Sequence, residues 1–316
     1  MRAGSGVGTA IVVTLLAGAA TAWAGSNTVY NFLRNDVGAR AAAMAGSFVT
    51  MTNDPTAFFY NPASGASLEA PQASLGFFKH VLDINAGHLA YGQQVEGVGF
   101  FSGGVLFTHY GSFTETDERG TALGTFSAAD FALSFGFSDS PLENLYYGVS
   151  AKFIYSGIGS YSSTALAADA GILYTIPDSR LAVGASLRNL GTQMSSYAGV
   201  SEILPLDLTV GASVIPRGLP LHLHVNFHRL TESADSFADR FRWFTVGGEF
   251  TLSSALRARL GYDNGRRQDL KLGSSAGLAG FSIGLGVVVS DYQIDYALSS
   301  LGEIGSLHRI SLGARF

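Results

Sequence analysis

Three histidines, His222, His224 and His228, are the residues best placed by type and spacing to do chemistry. On a strand they share one face, since successive side chains alternate, and His-x-His can offer two imidazoles to a metal ion. A structural site needs a third or fourth ligand, which the sequence does not identify. The expectation is therefore polar side chains bonded to neighbours or water, with no metal and no cofactor. A second constellation is charged. Arg257, Arg259, Arg309 and Arg315, with Glu249, Asp263 and Asp295, recur on one face of their strands and read as a charge network inside a lumen. It either lines a polar pathway or holds strands and an inner segment together. Buried charges must be paired, which favours the second role. No Ser/His/Asp arrangement is recognisable, so no enzyme is expected. Gly4-x-Gly6-x-Gly8 falls in an N-terminal leader, while Gly97-Val98-Gly99 and Gly284-Leu285-Gly286 suit bends and close packing rather than a phosphate cradle. The acidic run Thr114 to Arg119 reads as a solvated outer loop without the spacing of a calcium loop.

The elements that must carry these residues follow from composition. The chain has 316 residues, 40 glycines, 12% aromatic and only 14% charged residues, against about 25% charged in an average soluble protein. Mean hydropathy is positive, yet past the N-terminus no apolar run reaches the roughly 18 residues of a spanning helix. Apolar residues that alternate with polar ones resolve this, and that is the pattern of a transmembrane barrel. The absence of cysteine excludes disulfides and thiolate sites. A net charge of −5 gives no basic excess for nucleic acid.

Residues 1–24 read as a signal peptide: Arg2, the apolar stretch Val7 to Ala20, then the small-x-small site Ala22-Trp23-Ala24. The mature chain is expected to begin near Gly25 in the bacterial outer membrane. Residues 25–71 do not alternate. Val37 to Ala45 suits a helix that Gly46 can close. Asp54 before Pro55 can cap a short helical piece, Thr56 to Tyr60, which Asn61-Pro62-Ala63 ends. Phe58, Phe59 and Tyr60 require burial, so this segment is expected to tuck into the barrel as a hatch or plug.

From residue 72 to 316 the sequence predicts an all-β, antiparallel barrel of fourteen strands: 72–82, 84–95, 97–110, 123–137, 145–158, 163–176, 180–190, 204–215, 220–230, 240–251, 254–263, 279–289, 291–299 and 306–316. Leu221, Leu223, Val225 and Phe227 oppose the histidine face; Leu256, Ala258, Leu260 and Tyr262 oppose Arg257, Arg259 and Asp263. Short links alternate with mostly longer ones, as in barrels with short periplasmic turns and long outer loops. The chain stops mid-strand on Phe316, a lipid-facing residue that looks like an outer-membrane assembly signal, so outer-membrane lipid and the barrel assembly machinery are the expected partners.

Tyr30-Asn31-Phe32-Leu33, Gly38 to Gly46 (including Arg40), Asp54-Pro55 and Asn61-Pro62-Ala63 resemble the start of the PorV/PorQ family. More distantly they resemble the plug region of FadL-like long-chain fatty-acid transporters. Asp169 to Tyr174, Leu260-Gly261-Tyr262, Asp295-Tyr296-Ala297 and His308 to Gly313 extend the likeness along the mature chain. The PorV/PorQ resemblance implies a fourteen-stranded outer-membrane barrel with an N-terminal hatch. It also implies a role in type IX secretion, with secreted cargo or secretion components as partners. The FadL resemblance implies instead a channel for uptake of hydrophobic small molecules.

Overall fold

The computed structural model describes residues 28–79, 83–197, 199, 201–234, 236–271 and 277–316. The expected leader, 1–24, lies outside them. The strands are β1 (Gln72–Lys79), β2 (Asn85–Val95), β3 (Gly99–Thr116), β4 (Ala122–Leu142), β5 (Leu145–Ile158), β6 (Tyr161–Ile176) and β7 (Leu181–Ser195). The second half holds β8 (Asp207–Val214), β9 (Leu221–Phe227), β10 (Phe244–Thr251), β11 (Leu256–Asp263), β12 (Phe281–Val289), β13 (Tyr292–Ser300) and β14 (Ser306–Arg315). Each pairs antiparallel with its sequence neighbours, and β1 pairs with β14 from Gln72↔Arg315 to Lys79↔His308, closing the barrel. Closure gives every strand a partner on each side, as backbone polar groups in hydrocarbon require.

Period-2 sorting sets the two faces. On β13, Tyr292, Ile294 and Tyr296 are exposed outward while Asp295 is buried inward. On β14, Ile310 and Leu312 are exposed while Arg309 and Ser311 are buried. The fourteen expected strands are therefore present, with their polar and apolar faces sorted as expected. Their ends differ. β3 and β4 continue through Thr114–Thr116 and Ala122, so the acidic run expected to be a loop is largely hairpin, with its turn at Asp117–Gly120. Lipid demands alternation only within the bilayer, so these outer extensions carry no apolar signal.

The wall is uneven. β3 to β7 run 14 to 21 residues, whereas β8 to β14 run 7 to 10. One rim carries the short links, where Gly218 (φ 79°) and Ser290 (φ 52°) take the left-handed backbone of tight turns. The other carries mostly longer connections, the tight β5–β6 link at 159–160 excepted, and includes the short helix α2 (Asn264–Asp269), following α1 (Ala39–Ala43) of the N-terminal segment.

At the closing seam the Phe316 N–H donates to the Pro71 carbonyl at 2.9 Å, and its ring is exposed. Deleting Phe316 is expected to slow membrane insertion, read as a smaller heat-modifiable fraction on gels. Unchanged yield and mobility would show that the terminal ring has no part in assembly.

Candidate functional site

The N-terminal segment fills the barrel. Phe32, Val37, Met44, Phe48, Met51 and Phe58 form its apolar core together with inward residues of the wall such as Ala90, Leu106, Ala132 and Ile154. α1 is shorter than the expected 37–45. It ends in a Schellman arrangement, Ala45 N–H to the Ala42 carbonyl and Gly46 N–H to the Ala41 carbonyl. The left-handed residues are Ala45 (φ 54°) and Gly46 (φ 73°), so the stop comes one residue before the glycine. Asp54 does not cap 56–60 as a helix. Its Oδ1 accepts from Thr56 N–H (2.8 Å) and Thr56 Oγ1 (2.6 Å), and a single 3-10 turn, Ala57–Phe59, follows.

Asn61 lies at a junction. It is fully buried and caps a second 3-10 helix, Pro62–Ser67, its Oδ1 accepting from Ala63 N–H at 3.1 Å. Its amide donates to the Val49 carbonyl (2.8 Å) and across to the Ile172 carbonyl of β6 (3.0 Å). Pro62 takes the first helical position, where a missing N–H costs nothing. Asn61-Pro62-Ala63 thus starts a helical piece as well as ending one. Replacing Asn61 and Pro62 by Ala is expected to loosen the segment while the strands stay paired. Planar-bilayer conductance should then rise with β content by circular dichroism unchanged; unaltered conductance would remove Asn61 as an anchor.

Glycines let this segment approach the wall. A Cβ at Gly247 (β10) would stand 2.7 Å from Met44 Cβ, one at Gly261 (β11) 2.5 Å from the Met44 carbonyl carbon, and one at Gly148 (β5) 2.5 Å from the Pro62 oxygen. All are nearer than real Cβ contacts come, so backbone lies where side chains would otherwise be.

Ion pairs complete the attachment. Arg40 of α1 donates from Nε and Nη2 to Glu249 of β10 (2.9 and 2.8 Å) and from Nη1 to Asp54 (3.0 Å). Arg259 of β11, wholly buried, donates to Glu249 (2.6 Å) and to Asp295 of β13 (2.6 Å), which also accepts from Gln293 (2.8 Å). Burial alone would lower the Arg40 pKa, but Glu249 and Asp54 outweigh it and hold the guanidinium above the ordinary arginine range.

The expected network is smaller than its seven wall residues and has hatch partners. Arg257 bends back onto the carbonyls of its own turn, Ser253 among them. Arg315, at the rim, is exposed and forms no ion pair among the described residues. Asp263 joins a separate group, capping α2 through Arg266 N–H (2.9 Å) beside the Arg266–Asp36 bridge (2.9 Å). Arg309 is buried over the Phe78 ring (4.6 Å) and donates to Ser299 (3.3 Å), with no carboxylate in contact among the described residues. Two inward groups escaped the sequence reading. Lys152 bridges Asp169 (3.2 Å) and Asn189 (2.6 Å), and Arg188 pairs with Asp207 (2.5 Å). Their signal was present as polar residues on the inward period of β5 to β8.

The histidines do not converge. The His222 and His224 rings lie 4.0 Å apart, tilted by 43°, His224 Nδ1 lies 3.2 Å from Thr50 Oγ1, and His228 sits beyond the end of β9. Among the described residues no three His, Asp or Glu side chains form a metal-binding group.

Two of the cavities that border the hatch lie toward its opposite ends. One of about 170 Å3 lies toward the short-turn rim, beside Arg40, Asp54, Gln72, Asp295 and Arg315. The other, about 780 Å3, opens beneath the long connections and is lined by Arg34, Tyr60, Arg188, His228, Trp243 and Arg266 among others. Hatch residues between them, including Ala41, Ala42, Met44, Phe58 and Asn61, are buried. The arrangement can hold a small molecule in the larger cavity while denying it a straight path through.

No known family profile matches the chain, and no curated protein matches it by sequence. Solved structures do match. The toluene transporter TbuX of Ralstonia pickettii aligns at TM-score 0.61 and 14% identity, over 88% of this chain and 98% of that one. The Pseudomonas putida toluene transporter TodX aligns at 0.57 and 15%, over 89% and 96%. A FadL homologue of Pseudomonas aeruginosa aligns at 0.52 and 11%, over 89% and 98%. At such identities the likeness is one of architecture: this chain has the fold of the FadL-like outer-membrane barrels.

Proposed function

We propose that the protein is an outer-membrane channel for uptake of hydrophobic small molecules, and no enzyme. The observation that carries the reading is the hatch, buried and ion-paired inside a closed barrel of the fold shared with hydrocarbon transporters. A hydrated solute needs a continuous aqueous lumen, and this lumen is filled. An apolar solute needs only successive sites to occupy. The larger cavity suits such a guest because its charges are already paired, as in Arg188–Asp207 and Arg266–Asp36. Paired charges lose less on desolvation than free ones. Deleting the gene should abolish uptake of toluene or a long-chain fatty acid, and its return should restore it. Uptake unchanged by deletion would overturn the proposal.

The orientation is part of the reading. Both ends of the barrel lie at the short-turn rim, which would face the periplasm. Tags inserted after Glu118 or Ala234 should be labelled on intact cells, and one after Arg217 should not. Surface labelling at Arg217 would invert the topology.

A second reading is the export role implied by the PorV/PorQ resemblance. It rests on the hatch motifs, and what favours it is how closely the hatch is packed against the wall glycines. A permanently stopped barrel would work through its surface rather than its lumen. Recovery of secreted cargo cross-linked to the barrel, with solute uptake unaffected by deletion, would favour it. The matching solved structures give this second reading no support.

A further inference from the structure

The connection between β9 and β10 carries a 3-10 helix, Ala238–Arg242, flanked by aromatic residues. Phe237 is 78% exposed, and its ring meets Phe241 at 5.4 Å. Phe241 meets Phe227 at 5.4 Å, and contacts continue through Phe244 and Tyr262 to Phe281 on the outside of β12. The loop is thus joined to the apolar outer wall. Arg240 and Arg242 on the same helix are exposed and have no carboxylate partner among the described residues. The intervening Asp239 is engaged by Ser236 Oγ at 2.6 Å. Arg242 is held over Trp243 at 5.1 Å, and its carbonyl accepts from Asn264 Nδ2 at 2.8 Å, which ties the loop to α2.

The charge on this rim is lopsided. Among the described residues, the β3–β4 hairpin carries Glu115, Asp117 and Glu118 with one cation, Arg119, whereas the connections beside β9 to β11 carry Arg229, Arg240, Arg242, Arg266, Arg267 and Lys271 against Glu232, Asp239 and Asp269. Aromatic rings settle at a membrane interface, and a planar guanidinium matches phosphate oxygens in a fork. Rings leading down to the lipid face and guanidinium groups with no carboxylate partner among the described residues suit one kind of partner, which has acyl chains below and phosphate at headgroup level.

We propose that this sector, centred on Arg240, Arg242, Phe237 and Phe241, binds the phosphorylated headgroup of an acylated outer-leaflet glycolipid. The proposal rests on the orientation given above, in which these loops face outward. The purified full-length barrel in mild detergent is titrated with bisphosphorylated lipid A and with the same lipid lacking phosphates. Native mass spectrometry reads the bound fraction. The phosphorylated lipid should be retained, and the phosphate-free lipid should bind weakly. Arg240→Gln with Arg242→Gln should weaken retention about thirtyfold, near the effect of two basic residues at an anionic surface. Phe237→Ser should weaken both lipids alike. Equal binding of the two lipids, or undiminished binding by the double variant, would overturn the site. Displacement by equimolar inorganic phosphate would overturn the lipid assignment in favour of a free-anion site. Labelling at Ala234 is scored separately: its failure removes the orientation, and with it an outer-leaflet partner, whereas the detergent titration tests the headgroup chemistry by itself.

Discussion

Glu249→Ala is expected to destabilise the protein by about 3–5 kcal/mol and to unseat the hatch, because it strips the shared carboxylate from two buried arginines. Glu249 accepts from Arg40 of the hatch and Arg259 of the wall. Without it Arg40 retains only Asp54, and Arg259 only Asp295. Two guanidinium groups would then face one another across the gap that the carboxylate leaves. The urea midpoint for loss of heat-modifiable mobility should fall, and protease should reach residues 30–68. Glu249→Gln keeps volume and two acceptor or donor positions, so it should lie between. A midpoint unchanged in Glu249→Ala would mean that the ion pairs contribute nothing to holding the hatch.

Gly261→Val should have the next largest effect. Its first added carbon would meet the Met44 carbonyl carbon at 2.5 Å and also the Ala45 nitrogen. These are backbone atoms, which cannot rotate aside as a side chain can. Overpacking of this kind costs about 1–3 kcal/mol, and here the hatch must yield, because the strand is held by β10 and β12 on either side. Conductance should rise while strand content stays constant. Gly124→Ala, where nothing lies within 4 Å of the added carbon, is the matched control and should be silent. Equal behaviour of the two variants would contradict the close fit.

What the sequence made legible follows the solvent. The fourteen strands could be read because lipid on one side and a polar lumen on the other force alternation, as on β9, β11 and β13. Strand ends could not, since Thr114 to Thr116 extend beyond that constraint. The hatch was visible as a non-alternating segment whose aromatics at 58–60 needed cover. Its pairings were not, because Arg40 finds Glu249 across 209 positions and no local pattern encodes that meeting. Arg257 and Arg315 were placed in the lumen network by period alone. Their positions at the short-turn rim, where the wall meets water, give them solvent and turn carbonyls instead. Lys152, Asp169, Arg188 and Asp207 were overlooked for the opposite reason. Each is a single charge in an otherwise ordinary strand, and only the register of neighbouring strands, as in Arg188 opposite Asp207, brings them together.

Hatch contacts run from Gly104 on β3 to Ser311 on β14, whose Oγ accepts from Ala39 N–H at 2.8 Å across 272 residues. The first part of the described chain therefore cannot complete its contacts before the last strand is in place. Its binding surface is incomplete without the final strand, and loop closure over such separations makes that step slow. Sealing and completion are consequently one event. A barrel stalled at thirteen strands lacks part of the seat for its stopper, and one whose seam reopens loses seal and shape together. Quality control at the membrane would need to recognise only a single defect, an unfinished seam, to prevent both leakage and misassembly.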